Sequence, residues 1–153
     1  MTAPADPPVY RPVDIALLGD EHVRVYRETD GEQGYLWNGA PILLLTSKGR
    51  KTGQVRTIPI IFTPVGDGWA IIASKGGSPT HPVWYLNVTD DPKVQVQVKG
   101  EIYEAVARTA ASPEREEIWA KALVGWPNYD VYQSRTTRQI PVVVLEPVRK
   151  IKG

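Results

Sequence analysis

Apolar residues along this chain recur in short runs that are typical of β-strands. In residues 94–99, for example, valine alternates with glutamine and lysine, which predicts a strand with one buried face and one wet face. Six segments rich in valine and isoleucine are predicted strands: 42–47, 55–64, 69–74, 94–99, 102–109 and 141–146. The turns Gly66-Asp67-Gly68 and Lys99-Gly100-Glu101 predict antiparallel hairpins.

Three helices are predicted around these strands. The first covers residues 14–28, where apolar side chains recur on one face although Gly19 weakens the helix. The second begins at Pro82 and covers 82–88, and the third covers 112–124, with Ser112 as the N-cap and Pro113 at the first helical position. Helices inserted among strands, with a last strand returning, predict an α+β fold in which a six-stranded antiparallel barrel carries flanking helices.

Length and composition narrow the class of protein. The 153 residues suit one domain, predicted over residues 13–153, preceded by an extended proline-rich arm over residues 1–12. The 18 basic and 17 acidic residues nearly balance, which argues against a nucleic-acid partner. Cysteine is absent, and neither His22 nor His81 has a second ligand at a recognised spacing, so no metal site is predicted.

The chain shows neither a secretory signal nor an apolar stretch long enough to span a membrane, so the expected compartment is the cytoplasm. The basic tail Arg149-Lys150-Ile151-Lys152 is compatible with weak association with the inner face of a membrane. The sequence leaves open whether the protein is a monomer or a dimer.

Positive charge is concentrated in one part of the chain. Between residues 40 and 89 a single acid, Asp67, stands against five cations: Lys48, Arg50, Lys51, Arg56 and Lys75. The loop KGRKTG (residues 48–53) lacks P-loop spacing, but cations on glycine-rich turns favour a phosphorylated or polycarboxylated ligand. The alternative is a solvated hairpin tip whose lysines protect a sheet edge.

Two further motifs follow the basic loop. Ser74-Lys75-Gly76-Gly77 leaves a predicted strand, and its glycines allow a flat ring or a phosphate to lie against the backbone, although an ordinary glycine turn is the alternative. A helix beginning at Pro82 would place Trp84 and Asn87 on one side, as a packing ring and an amide that reads a heterocycle edge. For Trp84 the alternative is packing in the core.

Residues 126–133 supply a candidate for proton transfer. Tyr129 and Tyr132 lie three residues apart, on one side if the segment is helical. A neutral phenol, with a pKa of about 10, can donate a proton to a developing enolate or hydroquinone anion, although packing tyrosines are more common. The chain has only two histidines and no nucleophile elbow, which argues against a hydrolase.

Three segments, GAPILLLTSKGRKTGQVRTIPI, ASKGGSPTHPVWYLN and YDVYQSRTTRQIPVVVLEP, together resemble the deazaflavin-dependent nitroreductase family of actinobacteria, the flavin/deazaflavin oxidoreductase A group. The resemblance covers about residues 39–147. It implies a split β-barrel of the kind that also binds FMN. It also implies coenzyme F420, a deazaflavin with a phosphodiester and an oligoglutamate tail.

The resemblance also implies roles for individual residues. The phosphate and glutamyl carboxylates would be held by the cations of the basic region: Lys48, Arg50, Lys51, Arg56 and Lys75. Positions beside the deazaflavin ring match Ser74, Lys75, Gly76, Gly77, Trp84 and Asn87. The substrate pocket matches Trp126, Tyr129 and Tyr132, and the catalytic group matches Tyr132, Tyr129 and Ser74.

The implied activity is hydride transfer from F420H2 to a quinone-like or α,β-unsaturated carbonyl acceptor. Trp126 stands where the nitroreductase has a tyrosine, so reduction of nitroaromatics is less expected than reduction of quinones. Two alternatives remain: an FMN-dependent oxidase of the pyridoxamine-phosphate-oxidase type, which shares the barrel, and a non-catalytic F420 carrier.

Overall fold

The computed structural model describes residues 19–153, which form one antiparallel sheet and four helices. The predicted arm over residues 1–12, and residues 13–18 of the predicted domain, lie outside the described residues. The elements in chain order are α1 (Asp20–Glu28), β1 (Leu36–Trp37), β2 (Ala40–Lys48), β3 (Val55–Ile61), β4 (Thr63–Val65), β5 (Gly68–Ile72), a 3-10 turn (Lys75–Gly77), α2 (Val83–Asp90), β6 (Lys93–Val98), β7 (Glu101–Thr109), α3 (Glu114–Gly125), α4 (Asn128–Ser134) and β8 (Val142–Lys152).

The sheet curls because its two edges are joined by one stretch of chain. The strand order is β1-β2-β6-β7-β8-β5-β4, and β3 also pairs with β2. Strands β3 and β4 therefore belong to opposite ends of the hydrogen-bonded path, yet only Phe62 separates them in the chain. Closing the path in this way leaves little free edge. The predicted α+β class is confirmed.

Strand β2 is buried on both faces, which explains its unbroken apolar run. Leu43 and Leu45 pack into a core cluster with Val143 and other residues of the barrel. The side chains of Ile42 and Leu44 belong to a second cluster with Tyr26 of α1. A continuous apolar segment is what such a two-sided strand requires.

Four details of the predicted elements are wrong. The single strand predicted over 55–64 is divided at Phe62, and the short strand β1 had no signal in the sequence. The last strand runs to Lys152 rather than ending at residue 146. Gln97, predicted on a wet face, is buried, and its side-chain amide donates a hydrogen bond to the Lys99 carbonyl at 2.9 Å.

Two predicted helix starts are also corrected. The first helix begins at Asp20, because Gly19 has a φ of 83°, outside the helical range; residues 14–18 are not described. The third helix begins at Glu114, with Pro113 before it rather than inside it. Ser112 is not the N-cap, because its hydroxyl donates instead to the Glu116 carboxylate at 2.7 Å.

Tyr26 connects α1 to the sheet through its hydroxyl. The fully buried phenol donates to the Ile42 carbonyl at 2.9 Å and accepts from the Lys99 backbone N–H at 2.7 Å, and burial raises the pKa of Tyr26 to about 12. We expect Tyr26→Phe to lower the free energy of unfolding by about 1–3 kcal/mol, because the buried Ile42 carbonyl and the part-buried Lys99 N–H both lose this partner. Urea denaturation measures this loss. Tyr103→Phe, which removes a hydroxyl with an exposed hydrogen bond to Glu101, is the control, and equal stabilities for the two variants would contradict the expectation.

Candidate active site

A cavity of about 320 Å³ opens between the barrel and helices α2 and α4. Its apolar floor comes from strands β2, β3 and β5, through Ile42, Ile61 and Ile72. Ser74 and Lys75 lie at one edge, where the chain leaves β5. A mostly apolar cavity with a few polar groups at one side is typical of a small-molecule site.

Aromatic rings form the opposite wall of this first cavity. Trp126 is nearly buried, its ring lies 5.3 Å from that of Trp37, and its indole N–H donates to the Tyr132 hydroxyl at 3.4 Å. The segment of Tyr129 and Tyr132 is helical, and both rings line the cavity with their centroids 6.2 Å apart. Burial raises the pKa of Tyr129, so its phenol is neutral at physiological pH.

The two glycines of the Ser74-Lys75-Gly76-Gly77 segment have different environments. Gly76 lines the first cavity, with no atom near the position that a Cβ would take. Gly77 is buried with a φ of 85°, and a Cβ there would lie 2.5 Å from the Tyr132 carbonyl oxygen and 2.9 Å from Cβ of Arg135. Gly77 therefore serves the close packing of this segment against α4.

Arg138 holds the same segment from behind and was not identified from the sequence. Its guanidinium donates to the carbonyls of Ser78 and Ser74 at 2.8 Å each and to that of Ala73 at 3.2 Å. A fourth contact joins its Nη1 to Nδ1 of His81 at 3.1 Å. Burial lowers the pKa of Arg138. The partners are mainly backbone carbonyls about 60 residues earlier in the chain, so no local sequence pattern predicts these hydrogen bonds.

His81 has a packing role in this arrangement. Its Nδ1 faces the Arg138 guanidinium, so this nitrogen is the acceptor, and its ring lies 4.9 Å from that of Tyr85. Burial, and then the positive charge of Arg138, lower the pKa of His81. The imidazole therefore remains neutral at physiological pH and links the start of α2 to the preceding turn.

A second cavity of about 570 Å³ lies between the basic loop, β3 and α2. Three of the predicted cations, Arg50, Lys51 and Arg56, line it, whereas Lys48 is exposed at the end of β2 and lies outside its lining. Asn87 is buried at its wall, and its Oδ1 accepts a hydrogen bond from the Arg50 backbone N–H at 3.1 Å. Through this hydrogen bond the amide that was predicted to read a ring edge anchors the basic loop to α2.

The positive charge of this region is uncompensated. Within residues 19–153, no carboxylate forms an ion pair with Lys48, Arg50, Lys51, Arg56 or Lys75, and no described acidic residue lines either cavity. By contrast, Arg24, Arg108 and Arg149 elsewhere on the surface each pair with a glutamate. Clustered cations without acids favour an anionic ligand over a merely solvated loop.

Trp84 is the residue that joins the two cavities, because its side chain lines both. The predicted placement of Trp84 and Asn87 on one side of a helix is found, since both line the second cavity from α2. The Trp84 ring also packs against the core cluster and stands edge-on to Tyr85, with centroids 6.1 Å apart. Core packing and pocket lining are therefore combined in one side chain.

The fold and site define a curled-barrel protein with an apolar pocket and a cationic pocket that share Trp84 in their linings. Residues 19–147 match the F420H(2)-dependent quinone reductase family, and the chain belongs to this family. An F420H(2)-dependent quinone reductase of Mycobacterium tuberculosis strain H37Rv is 40% identical over 128 residues, which cover 81% of this chain and 86% of that protein. The predicted relationship to F420H2-dependent reductases is confirmed.

Two solved structures resemble the fold at similar identity. One is an F420H2-dependent reductase, FDR-A, with a TM-score of 0.65 and 40% identity over 69% of this chain and 94% of that one. The other, described as a domain-swapped dimer, has a TM-score of 0.67 and 36% identity over 83% of this chain and 95% of that one. The predicted split-barrel architecture is confirmed, with eight strands rather than six.

The membrane association considered for the basic tail gains no support. None of the helices in residues 19–153 is long and apolar enough to cross a membrane. The tail continues β8, where Arg149 pairs with Glu104 at 2.8 Å and Lys150 pairs with Glu101 at 3.2 Å. The charges of Arg149 and Lys150 are thus paired with glutamates of the neighbouring strand, which weakens their attraction for lipid headgroups.

Proposed function

We propose that this protein is an F420H2-dependent reductase that transfers hydride to a quinone-like or α,β-unsaturated carbonyl acceptor. One observation carries the proposal: an apolar cavity and a cation-lined cavity meet at Trp84. A ligand that lies across both must be flat and apolar at one end and anionic at the other. Coenzyme F420 has these two ends, and the family membership agrees with it.

The residues present fit this coenzyme. Guanidinium and ammonium groups of Arg50, Lys51 and Arg56 suit a phosphodiester and glutamyl carboxylates, because these cations have no carboxylate partner among the described residues. Ser74 and Lys75 offer backbone and side-chain donors at the edge of the apolar cavity. When bound and reduced, the coenzyme supplies a hydride, and the protein aligns it with the acceptor.

Tyr132 is the proposed proton donor for the reduced acceptor. Tyr132 lines the first cavity, and its hydroxyl accepts the Trp126 indole N–H, which leaves the phenolic proton free to be donated. Tyr129 stands edge-on to Tyr132, at an interplanar angle of 74°, and orients that ring. Ser74 lines the same cavity, beside the proposed position of the coenzyme ring.

Acceptor choice follows from the walls of the first cavity. Trp126 and Trp37 present two indole rings 5.3 Å apart, which narrow the cavity and favour a flat acceptor. Because the cavity is narrow, a flat quinone or enone is preferred to a bulky nitroaromatic. Within this scheme the acceptor carbonyl needs only one proton, which Tyr132 supplies.

A fluorescence titration with oxidised F420, run beside FMN at the same salt concentration, tests the cofactor. Saturable binding of F420, followed by oxidation of F420H2 in the presence of menadione or cyclohexenone, is the expected result. Preference for FMN, with turnover of NAD(P)H, would replace the proposal by the flavin-dependent alternative. F420 binding without oxidation by any acceptor would instead leave a coenzyme carrier.

Arg56→Ala is expected to weaken F420 binding about fivefold at low salt, because one solvent-exposed charge pair is lost from the second cavity. The difference from wild type should shrink in about 0.5 M salt, since screening weakens exposed charge pairs. Titrations at two salt concentrations measure both effects. Arg149→Ala, which removes a surface arginine paired with Glu104, is the matched control and should bind F420 as wild type does.

A further inference from the structure

Arg138 makes four polar contacts with residues 73–81, the segment that contains Gly76 and Gly77. Its guanidinium reaches the carbonyls of Ala73, Ser74 and Ser78 and the ring of His81, at 2.8–3.2 Å. Only a planar group with several fixed donors can satisfy acceptors in these directions together, and lysine has no such geometry. The residues held in this way include Ser74, which lines the first cavity.

These hydrogen bonds fix the orientation of two peptide units. In a trans peptide the carbonyl and the following N–H point in opposite directions. With the Ala73 and Ser74 carbonyls directed at Arg138, the N–H groups of Ser74 and Lys75 must point away from it. Within residues 19–153, neither N–H has a hydrogen-bond acceptor in the protein, and both residues line the first cavity.

We propose that Arg138 is the positioning residue of this site, which acts by holding the Ser74 and Lys75 amides as a preorganised pair of donors for the polar edge of the coenzyme ring. This inference rests on the proposed function. Preorganised backbone donors cost no reorganisation when a ligand binds or when charge develops on it. Arg138 itself touches neither the coenzyme nor the acceptor, and its effect passes through the turn.

The test compares Arg138→Lys and Arg138→Met with Arg149→Met. Arg149 lies on β8, outside the lining of both cavities, so this variant is the matched control for loss of an arginine. For both Arg138 variants we expect F420 to bind about fivefold more weakly and kcat with menadione to fall about tenfold or more, because a displacement below 1 Å at the ring edge misaligns hydride transfer. The KM for menadione should stay within about twofold. A purely structural role would instead lower the amount of folded enzyme and leave these constants of the folded fraction unchanged.

A readout without coenzyme separates this inference from the proposed function. The ¹⁵N and ¹H shifts of the Ser74 and Lys75 amides should move in Arg138→Lys and remain in place in Arg149→Met. Unchanged shifts, or wild-type binding and kcat in Arg138→Lys, overturn the inference alone. Wild-type protein that binds no F420 overturns the proposed function and the inference with it. An Arg138→Lys chain that does not fold assigns Arg138 to stability and likewise overturns the inference.

Discussion

Tyr132→Phe is expected to lower kcat for quinone reduction about 100-fold while F420 affinity stays within about twofold of wild type. The change removes the hydroxyl that accepts the Trp126 indole N–H and leaves the aromatic ring, so the packing against Tyr129 and Arg135 is kept. The acceptor then has to take its proton from water. Steady-state kinetics with menadione, together with a fluorescence titration of F420, measure the two quantities separately.

Two further variants sharpen this prediction. Tyr103→Phe removes an exposed hydroxyl that bonds Glu101 on β7, away from both cavities, and should leave kcat unchanged. Tyr129→Phe removes a buried hydroxyl but keeps the ring that packs edge-on against Tyr132, and it should reduce kcat less than Tyr132→Phe does. Equal losses of kcat and coenzyme affinity in Tyr132→Phe would contradict proton donation and would indicate a disturbed pocket instead.

Local patterns in the sequence were sufficient for most of the barrel. Alternating and continuous apolar runs located six of the eight strands, because strand periodicity and turn residues act over a few positions. A barrel was predicted, but the strand order that closes the sheet was not, since it depends on β3 pairing with β2 and β4 pairing with β5, at opposite ends of the strand order. The two-residue strand β1 was missed because Leu36–Trp37 is too short for any periodicity.

The candidate site divides in the same way. The basic loop and the helix that carries Trp84 and Asn87 were found, because charge and helical spacing are local properties. Arg138 was missed because its role depends on hydrogen bonds to the carbonyls of residues 73–78. Only the fold brings these carbonyls within 3.2 Å of the guanidinium. Trp37 was missed for a related reason: its contact with Trp126 joins residues that are 89 positions apart along the chain.

Gly77→Ala should be the most destabilising single change at the site, lowering the free energy of unfolding by about 3 kcal/mol or more. A methyl group there would lie 2.5 Å from the Tyr132 carbonyl oxygen, 2.9 Å from Cβ of Arg135 and 3.0 Å from Cα of Tyr132. Two of these are backbone atoms, so no side-chain rotation relieves the overlap. The turn and α4 must separate, and the hydroxyl of Tyr132 must move relative to Ser74.

Gly76→Ala supplies a matched control, because it changes the adjacent residue of the same turn. Gly76 has a φ of 63° and Gly77 one of 85°, so alanine is strained at both, at a cost of about 1–2 kcal/mol. At Gly76, however, no atom lies within 4 Å of the new Cβ. The difference in unfolding free energy between the two variants, from denaturant titration, therefore isolates the contact with α4. Equal stabilities would mean that α4 can move away without cost, and that the first cavity does not depend on this contact for its shape.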